Sequence, residues 1–309
     1  QRAPGQLMLG AEWDLSVGKT LDGQLRVWRE SGDLALEGEI RTQLGLEALE
    51  AVVSARGDRL TLTADARGSE FGSVHASARV RARRGADGMW SLPGDSALMG
   101  AATLDMPSIT WLGRLLRENV ETAGSLNGRV GLGGTLEAPL ASGQLDGEAL
   151  QVALVDQGLI LSGGEFRVSF DHDRVRLERL TFVSPNRVRP REGRIPFDSL
   201  TATPGKLTAS GEVRLDSGAG DFNFRAERLP LLQREDRWMI LSGEGSARST
   251  WGSLDLNADF RADAGYIEFA ETLAPSLSDD VVVLGREQAP GGAFAVSADV
   301  SVSLGDALY

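Results

Sequence analysis

The feature that most limits what this chain can fold into is a period-two alternation of apolar and polar residues that recurs along nearly its whole length. Leu7, Leu9, Ala11, Trp13 and Leu15 fall on one side of the pattern, and Gln6, Met8, Gly10, Glu12 and Asp14 on the other. Successive side chains of an extended strand point to opposite faces, so each such stretch predicts a strand with one greasy face. The pattern returns at Leu21 to Val27, Leu34 to Ile40 and Leu60 to Ala66. It is nearly pure where Val74, Ala76, Ala78, Val80 and Ala82 alternate with His75, Ser77, Arg79, Arg81 and Arg83. Polar, Gly-bearing segments at Arg29 to Asp33 and Gly85 to Gly88 separate these runs as hairpin turns do.

The second half repeats the theme. Gly133 to Phe182 reads as a run of half-buried antiparallel strands, followed by Leu207 to Leu215, Phe222 to Ala226 and Leu254 to Ala262. Asp263-Ala-Gly265 predicts a hairpin into Ile267 and Phe269, and a Pro275 to Asp280 loop precedes the apolar run Val281 to Leu284. Phe294 to Leu304 alternates most clearly of all. Ser184 to Gly193, polar and locally basic, and Pro230 to Asp236 read as irregular connectors. About twenty strand candidates result.

One segment breaks the alternation. Between Pro107 and Glu121 the apolar residues Ile109, Leu112, Leu115, Leu116 and Val120 take helical spacing, with Pro and Ser at the start where they suit a first turn. A single amphipathic helix among strands is expected to plug or cap the open end of a β core. Its polar residues Arg114, Arg117, Glu118 and Glu121 are of mixed sign, which does not suit a membrane-surface helix.

So many one-faced strands make an all-β chain. Their apolar faces can be covered in a sandwich, in a closed barrel, or in one long sheet folded lengthwise on itself. The 309 residues allow one long body or two, with a break at the helix dividing the chain into 1–106 and 124–309. The apolar set is Leu, Val, Ala and Phe, which suits a lining as readily as a packed core.

Chemistry is sparse. With 32 basic against 44 acidic residues the net charge is −12, the wrong sign for a chain that neutralises phosphates, so no nucleic acid partner is expected. Cys is absent, which removes disulfides, thiolate zinc sites and a cysteine nucleophile. His75 and His172 are the only histidines and neither has metal-motif neighbours; Asp171-His-Asp173 is explained by a turn. Gly131-Leu-Gly-Gly134 lacks the Lys and the helix of a phosphate loop, and Asp279-Asp280 alone makes a weak cation site. No nucleophile, base and orienting acid assemble, so neither an enzyme nor a cofactor is expected. No run of 18 apolar residues is present for a spanning helix. The start without Met and the end in mid-pattern at Tyr309 read as a piece of something longer.

Gly133-Gly-Thr-Leu-Glu-Ala-Pro-Leu-Ala-Ser-Gly-Gln-Leu-Asp-Gly-Glu-Ala-Leu150, followed by Gly158-Leu-Ile-Leu-Ser-Gly-Gly-Glu-Phe166, resembles the TamB family within the AsmA-like superfamily. Leu34-Ala-Leu-Glu-Gly with Leu46-Glu-Ala-Leu-Glu-Ala, and Ala264-Gly-Tyr-Ile-Glu-Phe with Leu277 to Leu284, extend the resemblance over essentially the whole chain, to that family's C-terminal region. The resemblance implies a "β-taco", an elongated, highly curved, antiparallel-rich sheet folded around an apolar groove. It further implies a periplasmic location, with the full protein anchored in the inner membrane by an N-terminal helix that this sequence lacks. The implied role is a bridge that carries phospholipid to the outer membrane. The implied partners are phospholipid acyl chains and an outer-membrane barrel protein, TamA, bound through a region beyond this one. The alternative role is a scaffold or chaperone for outer-membrane proteins and autotransporters, whose strands would add to open sheet edges. Under the groove reading, the lining comprises Leu136, Leu145, Leu150, Val152, Leu154, Phe166, Val168 and Phe170, continued by Val213, Leu215, Phe222, Phe224, Leu254, Leu256 and Phe260.

Overall fold

The computed structural model describes residues 7–33, 35–36, 42–116, 119–268 and 295–309. Fifteen strands form a single sheet in which each lies beside its neighbour in sequence. They are β1 (Met8–Val17), β2 (Leu21–Ser31), β3 (Leu46–Arg56), β4 (Arg59–Gly68) and β5 (Gly72–Arg81). Next come β6 (Met99–Met106), β7 (Val120–Gly134), β8 (Pro139–Leu154), β9 (Leu159–His172) and β10 (Arg174–Ser184). The last five are β11 (Gly205–Arg214), β12 (Gly220–Gln233), β13 (Arg237–Ser249), β14 (Ser253–Ile267) and β15 (Ala295–Leu308). All neighbours are antiparallel except β14 and β15, which run parallel. The chain is all-β, and β6 pairs with β7 directly, so hydrogen bonding runs unbroken past the helical insertion.

Register decides what the sheet presents. Residues paired across a ladder share a face, and one row runs Ala11, Val27, Ala51, Ala64, Ala76, Ala102, Val130, Gly143, Phe170, Val175 and Val213 from β1 to β11. A parallel row runs Met106, Leu126, Gly147, Phe166, Leu180, Ala209, Phe224, Gly245, Ala258 and Val300 from β6 to β15. One face is therefore apolar over all fifteen strands. The opposite face is a ladder of exposed charge pairs, among them Arg26 between Glu12 and Glu50, Arg167 with Asp146, and Glu212 with Arg174 and Arg176.

The sheet curves around its apolar side. Laid flat, Leu180 of β10 and Val302 of β15 would stand about 24 Å apart, five strand spacings. Both line one cavity, so the strands between them must bend around it. At the end of the sheet where β9 begins and β12 finishes, the Gly158 carbonyl accepts a 2.8 Å hydrogen bond from the Gln233 N–H although two strands separate theirs.

The helix α1 (Thr110–Leu116) closes the trough at the same end. Ile109, just ahead of it, is buried with Leu150 and Phe182, and Leu112 packs against that cluster together with Leu126, Leu161 and Leu207. Trp111 reaches the other way, edge-on to Phe71 at 6.4 Å, in a cluster with Leu44 and Leu46. Thr122 of β7 fastens the plug: its Oγ1 accepts from the Gly113 N–H at 2.9 Å and donates to the Ile109 carbonyl at 2.6 Å. A methyl at Gly113 would lie 2.4 Å from the Val120 carbonyl oxygen, so only glycine lets the helix sit this close.

Several sequence expectations need correction. The helix is shorter than Pro107 to Glu121, because Val120 and Glu121 open β7 and pair with Leu154 and Ala153. Pro230 lies within β12, at a point where the ladder with β13 shifts register, a place where sheets tolerate proline. No hairpin occurs at Asp263 to Gly265: β14 runs through them, with Ala264 paired to Ile240. A short second helix, α2 (Phe197–Leu200), sits in the connector after β10. Leu34, Gly38 to Ile40 and the segment from Phe269 to Phe294, including Asp279, Asp280 and Val281 to Leu284, lie outside the described residues.

Candidate functional site: an apolar trough

The trough is built by alternation and corrected by bulges. In a regular strand Leu145 and Leu150 would point to opposite faces, since they are five residues apart. The ladder shifts between Gly147 and Leu150, and Ala149 takes a positive φ of 51°, so Leu145 opposite Val168 and Leu150 opposite Gly164 share the apolar face. Val152 and Leu154 follow on that face. Phe166, Val168 and Phe170 lie on it in β9, Val213 in β11, Phe222 and Phe224 in β12, and Leu254, Leu256 and Phe260 in β14. Leu136 and Leu215 do not: both sit in connections between strands, where the Leu215 N–H is donated to the Asp173 carbonyl at 2.7 Å.

A cavity of about 710 Å³ opens on this face over β10 to β15. Leu180, Leu207, Ala209, Phe224, Ala226, Leu229, Leu231, Met239, Leu241, Phe260, Val300 and Val302 line it, and none of them carries a polar side chain. Most of these were not singled out from the sequence, yet the signal was present: Val300 and Val302 belong to its clearest alternating strand. Burial separates two regions. Leu150 and Phe182 are closed over by Ile109, whereas Val300 and Val302 are 46% and 54% exposed.

Phenylalanines on the trough floor share an unusual partner. A methyl placed on Gly147, Gly164, Gly211, Gly243 or Gly245 would come within 2.3–2.6 Å of a ring atom of Phe166, Phe182, Phe222, Phe260 or Phe224 respectively. Each ring therefore lies down over a glycine of the adjacent strand, covering the backbone that the glycine leaves bare.

The polar face has a concavity of similar size, about 730 Å³, over β10 to β14. Its guanidiniums are paired locally, Arg225 with Glu227 and Glu244 and Arg179 with Glu165, so neither stands as a free cation for a ligand. His75 on β5 is exposed and sits 2.6 Å from Asp65 on β4; His172 occupies the β9–β10 turn at φ 59°, 2.6 Å from Asp171. Among the described residues no group of three or more His, Asp or Glu side chains could hold a metal.

Comparison of the chain with protein-family models, curated proteins and solved structures finds no match.

Its charges are tuned by pairing on the polar face. The Arg167 guanidinium, with a smaller contribution from Gln144, holds the Asp146 carboxyl below its usual range, and Arg194 holds Glu192 at about 2. A depressed carboxylate pKa adds stability that is present above the unfolded value and lost as pH falls through the folded one. Asp146→Asn is thus expected to lower stability by under about 1 kcal/mol at neutral pH. The difference from the native chain should shrink as acid protonates Asp146, which urea titrations at pH 7 and at successively lower pH would measure. Among the described residues the cavity lining of the trough offers apolar surface and no acid, base or nucleophile.

Proposed function

We propose that the trough holds the acyl chains of phospholipid, and that the chain is a section of a periplasmic bridge that carries phospholipid from the inner to the outer membrane. The observation that carries this reading is one uninterrupted apolar face crossing fifteen strands and opening into a cavity lined by apolar side chains alone. A hydrocarbon chain needs nothing else from its site. An extended peptide laid on the floor would bring N–H and C=O groups that the floor cannot satisfy, since its own backbone is consumed by the ladder, and each unpaired group costs about 1–3 kcal/mol. The cavity volume falls in the range of sites for molecules of this size. At about 25 cal/mol per Å² of apolar surface, affinity is spread over many side chains. The sequence resemblance to the TamB family supports the membrane setting and the barrel partner.

The test places photo-crosslinking side chains at Leu256 and Val302 in the trough and at Asn257 and Ser301 on the polar face of the same strands. Irradiation with phosphatidylethanolamine vesicles should give lipid adducts at the first pair only. Equal labelling at all four positions, or none in the trough, overturns the reading. The scaffold alternative draws on the position of β15 as the last strand in the order of the described sheet; it requires adducts to unfolded barrel polypeptide along β15 in place of lipid.

A further inference from the structure

We propose that the Phe–Gly pairs set the clearance of the trough, so that its occupant is limited by ring orientation as well as by hydrophobicity. The inference rests on the acyl-chain reading and specifies which residues gate that site. An aromatic side chain standing off a sheet is what fills the gap of about 10 Å between packed sheet layers. In a trough meant to stay open, rings in that posture would cross the path of a chain running over the strands. Phe224 and Phe260 line the cavity, and their rings lie over Gly245 and Gly243. Their centroids are 6.2 Å apart with the planes 31° from parallel, so two neighbouring rings pave the floor.

Glycine is what permits the posture. At Gly245 an added methyl would meet Phe224 Cζ at 2.3 Å, closer than the Asn257 carbonyl at 2.7 Å or the Ala258 Cβ at 2.8 Å, so the ring is the first group that must move. It can move only upward, into the cavity. Position 209 is the converse case. Ala209 is flanked across the ladders by Leu180 on β10 and Phe224 on β12, and Gly211, two residues along on the same face, is already covered by Phe222, so a ring introduced at 209 has no bare backbone to lie on.

The experiment compares native chain, Ala209→Phe, Gly245→Ala and the double variant Gly245→Ala/Phe224→Ala. The readout is labelling of the trough by phosphatidylcholine vesicles bearing a diazirine acyl chain, with thermal melts to establish folding. Ala209→Phe and Gly245→Ala should each lose about tenfold in labelling, a change equal to about 1.4 kcal/mol, and the double variant should recover. Ala209→Phe adds apolar surface, so a site that selects by hydrophobicity alone would label as well or better. Native-level labelling of both single variants overturns the clearance role and leaves the acyl-chain reading standing. A double variant that stays low assigns the loss to strand distortion and also overturns it. If the native chain takes no label, the acyl-chain reading falls first.

Discussion

Trp238→Ala is expected to lower stability by about 3–5 kcal/mol, read as a fall in the urea midpoint. Trp238 and Ile240 are fully buried on the polar side of β13, where the sheet would otherwise meet water. The connector after β10 folds back over them: Ile195 and Ala264 complete the cluster, and the Phe197 ring sits 5.7 Å from the indole at 47°. Arg189 in turn lies 4.5 Å over the Phe197 ring. Truncating the indole leaves a hole ringed by side chains from α2, β13, β14 and β15, which the ladder prevents from collapsing. The indole N–H has no hydrogen-bond partner among the described residues, so its polarity contributes no compensating bond there. Trp238→Phe, which keeps most of the ring and discards that N–H, is accordingly expected to cost less than about 1.5 kcal/mol. Equal losses for the two variants would show that shape at this position matters less than the cluster suggests.

This cluster also marks the limit of reading by alternation. Trp238-Met-Ile-Leu241 is a continuous apolar run, the pattern of a strand buried on both faces. Met239 and Leu241 do face the trough, while Trp238 and Ile240 face the connector. The apolar run announces two covered faces, but nothing local in Ser184 to Gly193, polar and arginine-rich, announces that the residues just beyond it form the cover. Long-range packing decides that.

The strands themselves were largely legible because each carries its own signal in period two. Bulges carry none. Ala149 and Gly163, at φ 51° and 59°, reset which side chains face inward, and a sequence of common strand residues does not mark those positions. The end of α1 was misplaced for a related reason: Val120 fits the helical spacing, yet a β-branched residue with Leu154 available as ladder partner gains more as a strand. The plugging role expected of the helix follows from its isolation among strands, and Ile109 and Leu112 make those contacts.

The separation between plugged and open trough gives the second large effect. Leu150→Asp is expected to unfold or severely destabilise the β7–β11 region, by about 4 kcal/mol or more, because it places a carboxylate among the apolar side chains of Ile109, Phe182 and Leu161. Leu150, Val152 and Val168 look equivalent in the sequence, as apolar positions of adjoining strands. In the fold they are not. Val168 is only half-buried, opposite Leu145 and Leu177 and outside the cluster under the helix. Val168→Asp can hydrate its charge from the open side, and Val302→Asp, at a position 54% exposed in the native chain, can do so more fully. These two variants should stay folded, with melting close to native, while acyl-chain labelling falls at least about tenfold, since a carboxylate on the floor must be desolvated for hydrocarbon to pass. Circular dichroism melts and vesicle labelling on the same three proteins separate the outcomes. If Leu150→Asp melts like the native chain, the helix does not seal that end of the trough. If Val302→Asp labels like the native chain, hydrocarbon does not travel over β15, and the path must leave the sheet before its last strand.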